Sequence, residues 1–562
     1  MIRTLHIPNR FVVLVSAFTL CFGLFAYVGP HIPAAIAAGA ASHPAAIPNG
    51  GTVIAAEADT PPSLDPYSNQ QLSTVDIDAA VFDSLVKVNE KGKFTPDIAT
   101  KWTPSKNGLG WKFRLNPKAT WQDGKKLTSA DVVFTTKLVT NKAFPATSTL
   151  GFDHIKTIKA NGPYEVDVTL TQRYAPFIAY WGAAFILPQH ILGKIAPAEV
   201  QHNAGYNFKP LASGPFKITD YVAGDHWTMT ANKNYWLGAP HLKSIIIRIV
   251  PSSNTVLNQL QTGEVSLAGQ TAGLSARQVN DLKSASGLKT YISPGFNWWH
   301  LDLIETGFLK DVKVRQALQM ATDRSKIIQD VALGYAKPQY SDQPPAKKQF
   351  YDSTVTKQFH YSPSKAAQLL ASDGFTKNSS GTLQKGGQAF NLTLYGDADV
   401  ADSVQQVQLV AAQWSAIGVH VTTKVENGAT LFGDRGPLYT PTRLQSSEMV
   451  AVDYEWIEGF DPDDSFFWSS KEIVSPTNSG GGNFDGYRNA TVDKLTQQGL
   501  TATPAQRVKI YKQISRILAK EVPDVWLYWA DVFSASTAKL HNYKPNPFNY
   551  FLTWNAKDWY LQ

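Results

Sequence analysis

Cysteine is almost absent from this sequence: Cys21 is the only one among 562 residues. A chain with one cysteine has no internal disulfide, no cysteine-ligated zinc site and no Cys-X-X-Cys redox motif. Cys21 also lies within an apolar N-terminal stretch, so it is not available to the rest of the chain. The protein must therefore be held together by its hydrophobic cores, which a chain of this length can build.

Charge is also scarce, because Asp, Glu, Lys and Arg make up only 17% of the residues, against about 25% in typical soluble domains. The 52 basic residues exceed the 45 acidic ones, and the formal net charge is +7. This positive charge is spread out, which argues against a nucleic-acid-binding protein. Hydrophobic residues reach 43%, so we expect several folded domains or two large lobes.

Long apolar runs are missing except at the N-terminus, where residues 11–28 follow Arg3 and Arg10. Small residues at 35–37 and 38–40 offer cleavage sites, so residues 1–40 are predicted to be an export signal. We expect the mature chain to begin between Ala38 and Ser42. An uncleaved anchor and lipidation of Cys21 are the alternatives, although the bulky Leu20 before the cysteine fits lipoprotein processing poorly. The functional part is therefore expected outside the cytoplasm.

The motifs of several enzyme classes are missing too. The sequence has no Lys-Ser/Thr phosphate loop, no Gly-x-Ser-x-Gly nucleophile elbow and no His-Glu-x-x-His zinc pair. We therefore predict that the protein is not an enzyme and that it needs no cofactor and no metal ion.

Strand and helix patterns alternate along the chain after a linker at 41–51. The apolar residues of 111–115, 164–170 and 245–249 alternate with polar ones, as in half-buried strands. Thr128 with Asp131 predicts a helix start. Residues 314–328 carry one apolar face, which predicts a helix that ends at Gly334. A helix ending at Gly418 stands between strand patterns at 392–395 and 419–425, which predicts a parallel strand–helix–strand unit.

The densest acidic cluster comprises Glu455, Glu458, Asp461, Asp463 and Asp464. The spacing of acids in this cluster fits a calcium-binding loop, but Phe466 occupies the position at which such a loop needs glycine. A glycosidase acid/base pair, a solvated turn and a carboxylate facing a ligand pocket are the other readings.

Several segments, in order from about residue 52 to 545, resemble the family 5 extracellular solute-binding proteins, the binding components of oligopeptide, dipeptide and nickel ABC importers. The segments that carry the resemblance are Pro62-Ser63-Leu64-Asp65-Pro66, Trp111-Lys112-Phe113-Arg114-Leu115, Leu127-Thr128-Ser129-Ala130-Asp131, Gly214-Pro215-Phe216-Lys217-Ile218 and Val314-Arg315-Gln316-Ala317-Leu318.

The resemblance implies an α/β, periplasmic-binding-protein-like fold of two lobes joined by a hinge, with an extra small domain on the first lobe. The expected segments are lobe I at 52–85, the extra domain at 86–209, lobe I again at 210–295, lobe II at 296–524 and lobe I at 525–562.

The resemblance also implies that a solute, foremost a peptide, is captured between the lobes and delivered to an ABC-importer permease by a monomeric protein. An oligosaccharide, a nickel chelate or another solute is the alternative ligand. A receptor, chaperone or enzyme role on the same fold is the alternative function.

The same resemblance indicates where the ligand binds. In the family's peptide binders, an acid in the tryptophan-rich loop before an acid-proline pair holds the amino terminus of the peptide. The matching loop here runs from Trp456 to Pro462, and Glu458 takes the position of that acid. Trp456, Glu458 and Asp461 are therefore the expected ligand-binding residues, with Asp461 also stabilising the turn.

Overall fold

A computed structural model describes residues 47–69, 71–433, 436–438, 444, 446–475, 477–478, 480–549 and 551–562. The predicted export signal at 1–40, including Cys21, and residues 41–46 of the predicted linker lie outside the described residues.

The strands of the described residues belong to one large mixed sheet and several small ones. They are β1 (Thr52–Glu57), β2 (Val86–Val88), β3 (Phe94–Pro96), β4 (Ala99–Pro104), β5 (Gly110–Leu115), β6 (Ile155–Ala160), β7 (Glu165–Leu170), β8 (Phe216–Val222), β9 (His226–Ala231), β10 (Ser244–Ile249), β11 (Leu267–Ala268), β12 (Leu288–Leu303), β13 (Ala336–Pro338), β14 (Thr376–Lys377), β15 (Leu383–Lys385), β16 (Gln388–Ala389), β17 (Asn391–Asp397), β18 (His420–Glu426), β19 (Met449–Ile457), β20 (Asp524–Thr537), β21 (Leu540–His541) and β22 (Tyr560–Leu561).

The α-helices of the same residues are interspersed with the strands along the chain. They are α1 (Leu72–Val81), α2 (Ser129–Val139), α3 (Phe177–Tyr180), α4 (Gln189–Leu192), α5 (Ala204–Asn207), α6 (Ser253–Thr262), α7 (Ala276–Lys283), α8 (Val312–Ala321), α9 (Arg324–Asp330), α10 (Pro363–Ser372), α11 (Ala401–Ala416), α12 (Gly428–Leu431), α13 (Ser465–Trp468), α14 (Ala490–Thr501) and α15 (Pro504–Glu521).

Two long strands, β12 and β20, join the halves of the molecule. The large sheet has the strand order β18-β17-β19-β12-β20-β11-β1-β10-β9-β8, with β13 added on β20. One half of the β12–β20 pair carries β11, β1, β10, β9 and β8, and the other half carries β19, β17 and β18. The first half belongs to lobe I and the second to lobe II, so a two-strand connection links the lobes.

The pairing of these two strands is interrupted where the lobes meet. The register of β12 against β20 shifts between Pro294 and Asn297. At the interruption, a Cβ atom on Gly295 would lie 2.4 Å from the carbonyl oxygen of Ala530. A larger residue does not fit between the two backbones, so glycine is required at this point of the crossover.

Each lobe has its own hydrophobic core. Val53, Ile245 and Ile247 belong to the core of lobe I, whereas Leu301 and Leu394 belong to the core of lobe II. A separate antiparallel sheet, β4-β5-β7-β6, shares the first core. It lies within the predicted extra domain at 86–209, and the five segment boundaries stay a prediction.

Local sequence signals account for several helix ends. The predicted capping box of α2 is confirmed: Thr128 and Asp131 bond each other's backbone amides. The predicted parallel unit is confirmed too, because β17 pairs in parallel with β18 and α11 connects them.

One predicted helix is wrong in its extent. The apolar face at 314–328 belongs to two helices, α8 and α9, rather than to one helix running to Gly334. Thr322 is extended, with φ −92° and ψ 113°, and the side chain of Asp323 accepts a hydrogen bond from the backbone N–H of Lys326. An N-cap therefore starts a new helix inside the apolar pattern.

The helices of the described part of the chain are all too short or too polar to cross a bilayer.

Candidate ligand cleft

A cleft of about 900 Å³ lies between the two lobes, with β12, β19 and β20 as its floor. Lobe I contributes residues around α1 and α7, and lobe II contributes the start of α11. The lining residues are Asp59, Thr60, Gln71, Leu72, Ser253, Gln270, Thr271, Gly273, Leu274, Ser275, Ala276, Asn297, Trp299, Ala332, Tyr335, Asp399, Val400, Ala401, Asp402, Glu455, Ile457, Tyr528, Ala530, Asp531, Val532 and Phe533.

Three side chains form a row across the floor of the cleft. Trp299 on β12 stands opposite Glu455 on β19 and opposite Tyr528 on β20. Directly opposed residues on neighbouring strands have Cβ atoms about 5 Å apart and face the same side of the sheet. The floor therefore offers a carboxylate, an indole and a phenol side by side.

Glu455 is oriented by amides from its own lobe and from the other. The side-chain amide of Asn297 donates to the Glu455 carboxylate at 2.9 Å, and Gln270 of lobe I donates to the Asn297 oxygen at 3.4 Å. The side chain of Glu455 is exposed to the cleft, and the protein around its carboxylate replaces part of the solvent there. This desolvation raises the pKa of Glu455 to about 7, and the bond from Asn297 opposes the rise.

The charge of the lining is of one sign. Asp59, Asp399, Asp402, Glu455 and Asp531 line the cleft, and the described lining contains no Lys, Arg or His. Burial raises the pKa of Asp402. Burial also raises the pKa of Asp531, an effect that Lys337 opposes. The cleft is therefore suited to a ligand group that carries positive charge.

Two polar atoms on the lining have no hydrogen-bond partner within the described residues: the Tyr528 hydroxyl and Oε1 of Gln270. Tyr528 is only 1% exposed, so bulk water does not satisfy its hydroxyl. Buried polar groups nearly always have partners. Both atoms are therefore suited to bonding a molecule that enters the cleft.

None of the three predicted ligand-binding residues is among the described residues that line the cleft. Trp456 is half-buried and packs against Phe466 and Phe467, with ring centroids 6.1 and 5.1 Å away. Neighbours along a strand point to opposite faces of a sheet. The cleft is therefore lined by Glu455 and Ile457, whereas Trp456 faces the other side.

The carboxylate of Glu458 is paired with a cationic side chain of the same protein. The carboxylate lies 2.5 Å from Nζ of Lys347, and both side chains are at most 2% exposed. Lys347 also donates to the backbone oxygen of Asp461 at 3.0 Å. Burial raises the pKa of Glu458, and the Lys347 ammonium opposes that rise. The assignment of Glu458 to the ligand stays a prediction.

Asp461 makes a buried two-bond ion pair with Arg507 of α15. Its two oxygens lie 3.0 and 2.5 Å from the guanidinium nitrogens. Two features argue against a calcium loop in this segment. Asp461, the first residue of such a loop, is already paired with Arg507, and residues 465–468 form helix α13.

Sequence reasoning missed Asn297, Trp299 and Tyr528 as cleft residues. Glu455 was in the acidic cluster but was not singled out. Successive residues of β19 point to opposite faces, which separates Glu455 and Ile457 from Trp456. This alternation can be read from the sequence. Which face meets the cleft depends on the pairing with β12, which lies more than 150 residues away in the chain.

Comparisons with known proteins match one family model and several relatives of similar length. The model of a family described as "Bacterial extracellular solute-binding proteins, family 5 Middle" matches residues 93–473. The oligopeptide-binding protein AppA of Bacillus subtilis is 28% identical over 501 residues, which are 88% of this chain and 88% of AppA. The heme-binding protein A of Haemophilus influenzae is 25% identical over 500 residues, covering 84% of this chain and 85% of that protein.

Solved structures share the architecture. AppA of Bacillus subtilis, in complex with a nonapeptide, superposes with a TM-score of 0.74 at 26% identity, covering 92% of this chain and 100% of that one. NikZ of Campylobacter jejuni, in complex with Ni(L-His), has a TM-score of 0.77 at 23% identity, covering 91% and 99%. These likenesses confirm the predicted two-lobe α/β fold.

Proposed function

Because this chain belongs to the bacterial extracellular solute-binding proteins of family 5, we propose that it captures a peptide between its two lobes and delivers it to an ABC importer. The protein acts as an exported monomer in the periplasm or at the outer face of the cell membrane, binds without chemical turnover and needs a permease as partner. AppA, a relative that matches nearly the whole chain, is named an oligopeptide-binding protein. The proposal transfers this role to the present chain.

The observation that carries the proposal is the acidic cleft between the lobes. Its volume of about 900 Å³ is at the upper end of the range for ligand pockets, about 300–1,000 Å³. All five of its charged lining residues are acids. A peptide brings a positively charged amino terminus, and charge-assisted hydrogen bonds to carboxylates are among the strongest polar contacts in proteins.

Glu455 is the carboxylate best placed to accept the amino terminus. It lies on the cleft floor, Asn297 fixes one of its oxygens, and no described basic side chain shares the lining. The half-buried ring of Tyr335 provides apolar surface for peptide side chains, and the Tyr528 hydroxyl provides a polar contact. Glu458 is the alternative acceptor, but its ion pair with Lys347 must first be broken.

The test compares a free-amine peptide with its N-acetylated analogue. Native mass spectrometry of gently purified protein first identifies the peptides that remain bound, and calorimetry then measures the affinity of one of them. Glu455→Gln keeps the shape of the side chain and removes its charge. A hydrogen bond to a charged group is worth about 1.5–3 kcal/mol, so the free-amine peptide should bind roughly 10- to 100-fold more weakly, and the N-acetylated analogue should bind nearly as before.

Two further variants make the result specific. Glu448→Gln changes an exposed acid just before β19, far from the cleft floor, and should leave binding unchanged. If Glu458→Gln rather than Glu455→Gln removes the preference for the free amine, the acceptor is Glu458. Retention of a sugar, a metal chelate or a haem instead of peptides would contradict the peptide proposal while leaving the solute-binding role intact.

A further inference from the structure

A second cavity lies on the opposite face of the strand that forms the cleft floor. Asn297 and Trp299 of β12 line the ligand cleft, whereas Trp298, His300 and Asp302 line a small cavity of about 10 Å³. The remaining residues of its lining are Tyr454, Phe467, Trp468, Gly482, Phe484, Asp485 and Asp524. Such a volume suits a single small species, about one water or ion.

Three carboxylates meet at this cavity with little positive charge beside them. Asp302 and Asp524 are cross-strand neighbours on β12 and β20, and Asp485 follows in a loop. His300 lies 3.0 Å from Asp302 through Nε2. The nearest guanidinium, that of Arg315, is 3.1 Å from Glu305 and also donates to backbone oxygens. The cluster thus carries more negative charge than its neighbours neutralise.

Five polar atoms of the lining residues have no partner within the described residues. Two are the indole nitrogens of Trp298 and Trp468, and the others are Nδ1 of His300, Oδ2 of Asp485 and Oδ1 of Asp524. The last three residues are 1%, 3% and 2% exposed, respectively. Burying such groups without a partner is costly, so the cavity calls for a cation.

We propose that this cavity binds a divalent transition-metal ion, with Zn²⁺ as the best match. Ligand atoms of His300, Asp302 and Asp524 lie within 4.8 Å of one another, and Asp485 lines the same space. Atoms that each lie about 2.1 Å from one zinc ion are at most about 4.2 Å apart. The set therefore contracts by a fraction of an ångström when the ion binds.

The geometry of His300 fits this role. One ring nitrogen bonds the Asp302 carboxylate, and the other has no partner. Nε2 of His300 and Oδ1 of Asp302 are 3.0 Å apart, a separation that two ligands of one zinc ion, each about 2.1 Å from it, can have. Tyr454 donates to Oδ2 of Asp302 at 2.9 Å, so this carboxylate is held in place.

The ligand set also discriminates between metals. Calcium takes six to eight oxygen ligands at about 2.3–2.6 Å, more than this small cavity offers. An imidazole beside two or three carboxylates suits zinc or manganese. The ion would tie the loop at Asp485 to β12 and β20, and thus stabilise lobe II from the side that does not face the solute.

The first test uses the unmodified protein, produced without an affinity tag and purified without chelator. Elemental analysis should find about one zinc or manganese per chain. Treatment with a strong chelator should remove it and lower the unfolding temperature, and Zn²⁺ should restore that temperature while Ca²⁺ should not. Peptide binding should persist in the metal-free protein, because the cleft lies on the other face of the sheet. A chain that neither retains nor takes up Zn²⁺ or Mn²⁺ overturns the proposal, as does restoration by Ca²⁺ alone.

A pair of variants locates the site. Asp524→Asn should weaken Zn²⁺ binding at least about tenfold, since it removes a charged ligand. Asp453→Asn is the matched control, because Asp453 is equally buried but bonds Ser403 away from the cavity. Equal Zn²⁺ binding by Asp524→Asn and the parent chain would overturn the assignment. If Asp524→Asn does not fold, the chelation result on the parent chain decides the question.

Discussion

At the residue scale, the acids of the segment 455–461 differ in which groups lie beside them. Asp461 has the guanidinium of Arg507, and Glu458 has the ammonium of Lys347. Glu455 on the cleft floor has only the amide of Asn297. Acids paired within the chain are already neutralised, whereas no described cation lines the cleft beside Glu455.

Asp461→Asn is expected to act on stability. The change leaves Arg507 buried without its carboxylate, and breaking a buried ion pair typically costs about 3–5 kcal/mol. Denaturant unfolding should show this loss. Asp123→Asn is the control, because Asp123 pairs with His190 nearer the surface and such pairs contribute about 1 kcal/mol or less. If Asp461→Asn unfolds like the parent chain but binds peptide more weakly, Asp461 faces the ligand.

Peptide affinity is expected to depend on pH through Glu455. Its pKa is about 7 in the free protein, and an ammonium ligand favours the carboxylate, so binding lowers that pKa. Affinity is then full above pH 7 and falls as the pH drops below it, by roughly tenfold between pH 7.5 and 6. Asp402, whose pKa burial also raises, acts in the same direction.

Calorimetry across this pH range measures the effect, and buffers of different ionisation enthalpy report the released proton. Glu455→Gln should flatten the profile. An affinity that does not change with pH in the parent chain would contradict the role of Glu455.

At the scale of elements, the crossover of β12 and β20 is the connection on which movement between the lobes depends. Both strands belong to both lobes, and their register is interrupted between Pro294 and Asn297. An interrupted ladder lacks regular hydrogen bonds and bends more easily than a continuous one. The crossover also provides Asn297, so a side chain that lines the cleft and the interruption share one short segment.

Gly295→Ala is expected to strain this crossover. The new Cβ would lie 2.4 Å from the Ala530 oxygen, so the strands must separate, and overpacking of this kind costs about 1–3 kcal/mol. Thermal unfolding should show the loss. Gly480→Ala, where nothing lies within 4 Å of the added atom, should be close to neutral. If the two variants are equally stable, the crossover accommodates the added Cβ atom without strain.

At the scale of the whole molecule, two lobes with separate cores share one cleft. A ligand that touches both lobes favours the closed arrangement by its extra contacts there, which is hinge closure of the kind known for periplasmic binding proteins. The side chain of Gln270 in lobe I already donates to Asn297 on the cleft floor. One contact between the lobes is therefore present, and closure would add others.

Small-angle scattering is expected to show a smaller radius of gyration when a tightly bound peptide is added, with the mass of one chain in both states. Glu455→Gln at the same peptide concentration should remain closer to the ligand-free value. A radius that does not change on saturation would indicate that the lobes do not move. A peptide recovered in altered form would indicate an enzyme.

The sequence by itself determined the local structure and the family. Alternating apolar residues placed β5 and β10, the Thr128–Asp131 box placed the start of α2, and ordered motifs identified the two-lobe fold. These features depend on neighbours within a few residues, and local sequence carries that information. The acidic cluster around Glu455 was visible for the same reason.

Only the tertiary structure decided which acid lines the cleft and which acids are paired. Lys347 reaches Glu458 across 111 residues of chain, and Arg507 reaches Asp461 across 46. Adjacent strand residues point to opposite faces, so Glu455 and Trp456 differ in role by a single position. The choice of face is made by strand pairing and lobe packing, and the same choice places His300 and Asp302 on the side away from the cleft, where Asp524 joins them.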